Sequence, residues 1–238
     1  MSGRLIAVGI GPGDPELITL KGARLIREAD VVVCPVGDRS DSSIARAIVD
    51  GLVDPQRQQL VTQVFPMQRN QAGLEVYWHQ AAVEVAGFVA AGKRVVFVTL
   101  GDPFLYSTFL YLWQELRADF PDLPVEVVSG VSSIHAAAAL AGLPLGRSDE
   151  RLAVLPATYE EGRLAETLEH FDTVVLMKVH RVFDRIRELL TDLGLKERAV
   201  YIKRVGLPGE AVIRDLDAVR AEDLDYLSLV IVRKTEGE

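Results

Sequence analysis

One cysteine, Cys34, stands among 238 residues. A lone thiol excludes an internal disulfide framework and fits a reducing compartment. Set in the apolar stretch "VVVCPV", it reads as a small buried hydrophobe. Long apolar runs are also missing, since none approaches the roughly eighteen residues that a membrane-spanning helix needs. The opening residues lack a basic region followed by a long apolar core. No signal peptide is expected, and the cytoplasm is the expected location. Histidine is scarce: His79, His135, His170 and His180 are scattered along the chain. With one cysteine and no close ligand spacing, no metal site is expected, and His79 and His135 read as ordinary helix residues. Basic charge is in deficit, with a formal net charge of -8. That balance argues against broad nucleic-acid binding, because phosphate contacts need a basic face.

What is present is ordinary globular material. An apolar fraction of 49% is enough to build a core as one large domain or two small ones. Through the first half, apolar strands alternate with amphipathic helices. "RLIAV", "DVVVCPV", "QLVTQVF" and "RVVFVTL" read as strands. "ELITLKGARLIREA", "DSSIARAIVDGL", "LEVYWHQAAVEVAGFVAAG" and "STFLYLWQELRADF" read as helices. Leu17, Leu20, Ala23 and Leu25 fall near one face of the first helix, and Asp41 or Ser42 is positioned to cap the second. This alternation predicts a mostly parallel sheet flanked by helices. "RADFPDLP" breaks the pattern with prolines and charges, which places a domain boundary there, between residues 1–120 and 121–238. Beyond it "VEVVSG", "RLAVLPA", "DTVVLMK", "RAVYIKRV", "GEAVIRDL" and "YLSLVIVRK" read as strands. "VSSIHAAAALAG" and "RVFDRIRELLTDLG" read as helices. The last three strands lack long connections, so this half is expected to hold a mixed sheet.

The first loop, "GIGPGDPELITLKGARLI", poses a question of type. A dinucleotide-binding turn needs G-x-G-x-x-G and an acid about twenty residues on, after the second strand. Gly9 and Gly11 fit, but Asp14 fills the third glycine slot and Asp30 precedes the second strand. Pro12 and Pro15 also remove two N–H donors from the loop. The alternatives are a tight turn without a ligand and a different kind of binding loop. Two more strand-to-helix turns share the layout, "VVFVTLGDPFLYSTF" and "VEVVSGVSSIHAA". A third, "TVVLMKVHRVF", lacks glycine. Ligands of open α/β sheets collect beyond the C-terminal strand ends. Gly101 and Gly130 would let backbone approach a ligand closely, and Asp102 could accept from ribose hydroxyls. Ser132 and Ser133 suit either helix capping or ligand contact, and "GDP" is equally good turn chemistry.

Taken together, "VGIGPGDPELITLKGARLIREADVVV", "TLGDPFLYSTFLYL" and "VVSGVSSIHAAAALAGLPL" resemble the three ordered signatures of the tetrapyrrole methylases. The likeness runs from Leu5 to Val232. The resemblance implies two α/β domains, each a mixed, mostly parallel sheet with flanking helices, and a cofactor cleft between them. It implies S-adenosylmethionine as methyl donor and a homodimer. It places cofactor contacts at Pro12, Gly101, Asp102, Leu105, Ser132 and Ser133, and more loosely at Met177, Val205 and Ser228. At Lys203 to Val205 "KRV" stands where relatives carry an "ENG"-like stretch. Tyr106, at the mouth of the "GDP" loop, is a further candidate for cofactor or substrate contact, with core packing as the alternative. The "YST" stretch, "CPV…SIARAIV" and "YLSLVIVRK" resemble the precorrin-2 C(20)-methyltransferases. Methyl transfer to carbon 20 of precorrin-2, or of cobalt-factor II, is therefore expected. The alternatives are uroporphyrinogen III or another corrin carbon as acceptor, or a non-catalytic S-adenosylmethionine sensor. A sulfonium donor is already activated, so alignment and exclusion of water should suffice. No catalytic residue is singled out. The implied substrate is a polycarboxylate, for which Lys21, Arg39, Lys178 and Arg204, with Arg181 and Lys203, are candidate contacts. No nucleic-acid or membrane partner is expected.

Overall fold

Near-continuous apolar runs such as "VVVC" and "VVFV" can be buried on both faces only in a sheet covered by helices on each side. The computed structural model, which describes residues 3–37, 43–66, 73–158 and 161–234, shows that arrangement. The chain forms two compact units, Met1–Ser132 and Ser133–Glu238.

The first unit contains β1 (Arg4–Gly9), α1 (Leu20–Glu28), β2 (Val31–Val36), α2 (Ile44–Val49), β3 (Gln59–Val64), α3 (Glu75–Ala90), β4 (Arg94–Thr99), α4 (Phe109–Asp119) and β5 (Val125–Val128). Its strands lie in the order β3-β2-β4-β1-β5, and every pairing is parallel. One face, with Leu5, Ala7, Val33, Val95 and Phe97, packs on Trp78, Val85, Phe109 and Leu112 of α3 and α4. Trp78 stacks on Tyr111 with ring centroids 4.4 Å apart. Burying one such large side chain contributes about 2–3 kcal/mol. Residues of opposite parity, Ile6, Val8, Val32 and Val96, are equally buried, on the side where α1 and α2 run. α1 begins later than expected, because Thr19 caps it by accepting the Gly22 N–H at 3.0 Å. That start leaves Leu20 92% exposed, so the buried face is Gly22, Leu25 and Ile26, and Leu20 does not belong to it. Ser43 caps α2; Asp41 and Ser42, the expected caps, lie outside the described residues.

The second unit contains α5 (Ser133–Ala141), β6 (Leu152–Pro156), α6 (Glu161–His170), β7 (Thr173–Met177), α7 (Phe183–Asp192), β8 (Ala199–Lys203), β9 (Ala211–Ile213) and β10 (Ser228–Arg233). The sheet order is β6-β7-β10-β8-β9. It is mixed, as the short final connections required, but only β6–β7 is parallel. A mostly parallel sheet therefore describes the first unit and not the second. Short connections cannot provide the crossovers that parallel neighbours need. Leu164, Leu168, Phe183, Ile186 and Leu190 pack on Val174, Leu176, Val230 and Val232.

The boundary expected after residue 120 falls too early. β5 follows it and pairs with β1 in the first sheet. "RADFPDLP" is thus a crossover within the first unit. Among the described residues, no helix is long and apolar enough to cross a membrane.

Candidate functional site

In the first sheet β4, β1 and β5 are neighbours, although β2 and β3 intervene between β1 and β4 in the chain. This reversal of strand order brings the loops after β1, β4 and β5 together at their C-terminal ends, where open parallel sheets collect ligands. The Gly101 N–H donates to the Gly11 carbonyl at 2.8 Å, and both glycines have positive φ, +67° and +76°. A Cβ at Gly9 would collide with the Gly101 carbonyl oxygen and lie 2.6 Å from the Gly130 nitrogen. A Cβ at Gly130 would collide with the same carbonyl and lie 2.6 Å from the Gly9 carbonyl carbon. Gly130 thus serves an approach between backbones, where a ligand approach was expected. Gly101 differs: the nearest atom to its Cβ position is the Ser132 Cα at 3.8 Å, so that side is open.

Asp102 ties these loops together. Its Oδ1 accepts the Phe104 N–H at 2.9 Å and its Oδ2 accepts the Gly130 N–H at 3.1 Å. The first contact is an Asx turn; the second spans two loops. Thr99 and Ser107 hydroxyls share a 2.9 Å hydrogen bond beneath. Ser107 Oγ also accepts the Phe109 N–H at 3.0 Å, which fixes the start of α4. Tyr106 adopts φ +51°, uncommon for a bulky residue. The residue is 41% exposed, so it is not a core residue. Pro12 and Ser132 are buried and Leu105 is half-buried. The first unit therefore gathers Pro12, Gly101, Asp102, Leu105, Tyr106 and Ser132. Ser133 opens α5 of the second unit.

The second unit brings Met177, Lys178, Arg204, Val205 and Ser228 to one end of its sheet. There Met177 pairs with Leu229 and Lys203 with Ser228. Lys178 N–H donates to the Ser228 carbonyl at 3.1 Å, and Arg204 N–H to the Leu227 carbonyl at 2.8 Å. Lys178 and Arg204 have φ +60° and +52°. Glycine would adopt this conformation freely, whereas a larger residue is strained by roughly 1–3 kcal/mol. Burial pushes the Lys178 amine below its ordinary value. Arg204 is held by the Pro208 carbonyl at 2.6 Å and by Asp225 at 3.0 Å. Lys203 pairs with Asp223 at 2.8 Å, and this contact holds the Asp223 carboxyl below its usual range. Lys21 is instead paired with Glu126 at 2.7 Å, beside the edge strand β5. Arg39 lies outside the described residues.

Sequence reasoning missed several features. His180, Asp225 and Tyr226 join this strand end; the His180 and Tyr226 rings meet edge to face at 5.5 Å. His79 on α3 meets Asp119 at 3.0 Å and Glu115 at 3.7 Å on α4. These three ligand-capable groups lie within 4.8 Å of one another. Their separation of some forty positions in the chain hid the cluster, which ties the two helices together through the His79 Nδ1 contact with Asp119.

Comparison with known proteins assigns the family. Residues 4–218 match the model of the Tetrapyrrole (Corrin/Porphyrin) Methylases. The chain is 38% identical over 235 residues, 98% of each protein, to the cobalt-precorrin-2 C(20)-methyltransferase of Salmonella typhimurium. It is 35% identical over 237 residues to the precorrin-2 C(20)-methyltransferase of Sinorhizobium sp, covering 97% of this chain and 95% of that one. Among solved structures, uroporphyrin III C-methyl transferase from Thermus thermophilus superposes with a TM-score of 0.69 at 26% identity, covering 98% of both chains. The same enzyme has been solved in complex with S-adenyl homocysteine, with a TM-score of 0.66. On the full-length match and the shared fold, the chain belongs to the tetrapyrrole methylases.

Proposed function

We propose that this protein transfers a methyl group from S-adenosylmethionine to carbon 20 of precorrin-2 or its cobalt-containing counterpart. The observation that carries the choice of acceptor is the 38% identity, over 98% of both chains, to a relative named for that reaction. The glycine-pinned loops support the choice of donor. The outer side of Gly101 is open, and the Asp102 carboxylate is oriented by two backbone N–H groups, a fit for a nucleoside with hydroxyl donors.

The donor, when bound, supplies an activated methyl on a sulfonium. The chain's own residues bind and align. Pro12, Gly101, Asp102, Leu105, Tyr106 and Ser132 form the first unit's proposed contacts with it. Ser133, Met177, Val205 and Ser228 are the proposed contributions of the second unit. Positioning of the two reactants is the main catalytic contribution asked of the protein. Lys178 and Arg204 are the proposed partners of substrate carboxylates, because strain retained at two basic residues argues that their side chains are needed there. Lys21, a helical residue without that backbone strain, is left out of that set. A cytoplasmic homodimer belongs to the same reading, supported by the family resemblance and the single buried thiol. The net charge of -8 supports a small-molecule partner over a nucleic acid. Incubation with labelled S-adenosylmethionine and precorrin-2, cobalt-factor II or uroporphyrinogen III, with the product methyl located by NMR, tests the assignment.

A further inference from the structure

The end of the second sheet holds a histidine whose two ring nitrogens are treated differently. His180 lies in the 3-10 turn Val179–Arg181, which follows β7 directly. Lys178 turns the chain with its left-handed backbone. Val179, fully buried, anchors the turn, and the Val182 N–H closes it on the Val179 carbonyl at 2.9 Å. Tyr226 packs edge-on against the ring, 75° from parallel. Among the described residues, the buried Nδ1 has no hydrogen-bond partner. A buried N–H without an acceptor costs more than an unmet lone pair. The proton of the neutral ring therefore belongs on Nε2.

We infer that His180 is a neutral hydrogen-bond donor of fixed tautomer, offering Nε2–H to an acceptor oxygen, a carboxylate, of the tetrapyrrole substrate. This inference rests on the proposed function for the identity of the ligand, but the tautomer does not depend on it. Among the described residues, the groups that act on the ring are Arg181 on its own turn, and Asp225 and Tyr226 on the segment leading into β10. Burial, then the Arg181 guanidinium, hold the imidazole below its ordinary value, against the opposing pull of Asp225. A second proton would also place a charged, unpaired N–H at the buried Nδ1. His180 is thus a specificity-determining residue, alongside the charged Lys178 and Arg204, that gives direction without adding charge.

The test has two independent arms. In the free protein, 15N NMR of the imidazole distinguishes a protonated from a lone-pair nitrogen. The expected spectrum shows Nε2–H with a bare Nδ1 at pH 8, and a protonation midpoint below the ordinary imidazole value. A proton on Nδ1 of the neutral ring, or a midpoint at or above the ordinary imidazole value, would overturn the inference. In the second arm, His180→Phe and His180→Gln are compared with wild type. Loss of one hydrogen bond to a charged acceptor predicts a rise in substrate KM of about 10- to 100-fold for His180→Phe. kcat should stay within about threefold, and the Kd for S-adenosylmethionine should not move. His180→Gln, whose amide can still donate, should recover part of the loss. An unchanged KM in an active His180→Phe enzyme would refute the donor role. If wild type methylates no tetrapyrrole, the proposed function fails instead. Fluorescence titration of both proteins with uroporphyrin III, a polycarboxylate tetrapyrrole, then decides the inference. Weaker binding by His180→Phe supports it, and equal binding or none by wild type overturns it.

Discussion

Asp102 reaches from the loop after β4 to the loop after β5 and accepts the Gly130 N–H at 3.1 Å. A hydrogen bond to a charged acceptor is worth about 1.5–3 kcal/mol, and this one joins two loops that glycines hold at backbone contact. Asp102→Ala should therefore weaken S-adenosylmethionine binding by tenfold or more, roughly the equivalent of 1.4 kcal/mol. Asp102→Asn, which keeps one acceptor oxygen, should fall between. Titration calorimetry on the three proteins measures this; an Asp102→Ala affinity within twofold of wild type would contradict it.

Gly130→Ala should damage the same place by a different route. The new Cβ would press on the Gly101 carbonyl and the Gly9 backbone. Neither is the end of a flexible side chain, so the loops must part, at a cost of about 1–3 kcal/mol. Gly51→Ala is the control, because nothing lies within 4 Å of its Cβ position. Denaturation midpoints should drop for the first variant and hold for the second.

In the second unit, Arg233 is a buried cation, its side chain 3% exposed and 3.0 Å from Glu150. Its Nη1 also donates to Thr173 at 3.1 Å. Glu150→Ala strands that charge and should cost about 3–5 kcal/mol. Arg233→Met removes the charge itself and leaves the less buried Glu150 with the Arg147 N–H. Urea denaturation should rank Glu150→Ala as the more damaging change. The reverse order would show that the pair is not the dominant interaction.

Cys34 should be inert. Burial pushes its thiol up to about 11 from 9.0, against a lesser opposing pull from Arg46. Iodoacetamide at pH 8 should leave the native protein unmodified and label it once unfolded. A pKa raised by folding means that the thiol's contribution is complete below pH 9 and is lost as pH rises through 11. Wild type should therefore lose on the order of 2 kcal/mol more than Cys34→Ala between those limits.

Much of the first unit was legible because a parallel, doubly covered sheet writes itself as continuous apolar runs. "VVVC" and "VVFV" admit few other structures. What could not be read depends on distant pairing. "RADFPDLP" has the composition of a linker, yet Leu5 pairs with Val125, and no local signal reports that β5 returns to β1. The helix α6 was missed because "EGRLAETLEH" is short and mostly polar. Its contribution is two buried leucines, Leu164 and Leu168. The glycine signatures pointed to the right loops but not to the division of labour. Gly9 and Gly130 are required by each other's backbone, which is visible only once three loops meet. His180 looked like one of four scattered histidines. Its significance comes from Lys178, Tyr226 and Asp225, which are placed beside it by strand ends and not by spacing.

The most direct test of the central claim is the position of the transferred methyl. The purified protein is incubated with 13C-methyl-labelled S-adenosylmethionine and precorrin-2, and the product is examined by NMR. The expected result is a single new labelled methyl at carbon 20, absent without protein. A labelled methyl at another macrocycle carbon, or no transfer while S-adenosylmethionine still binds, would contradict the assignment.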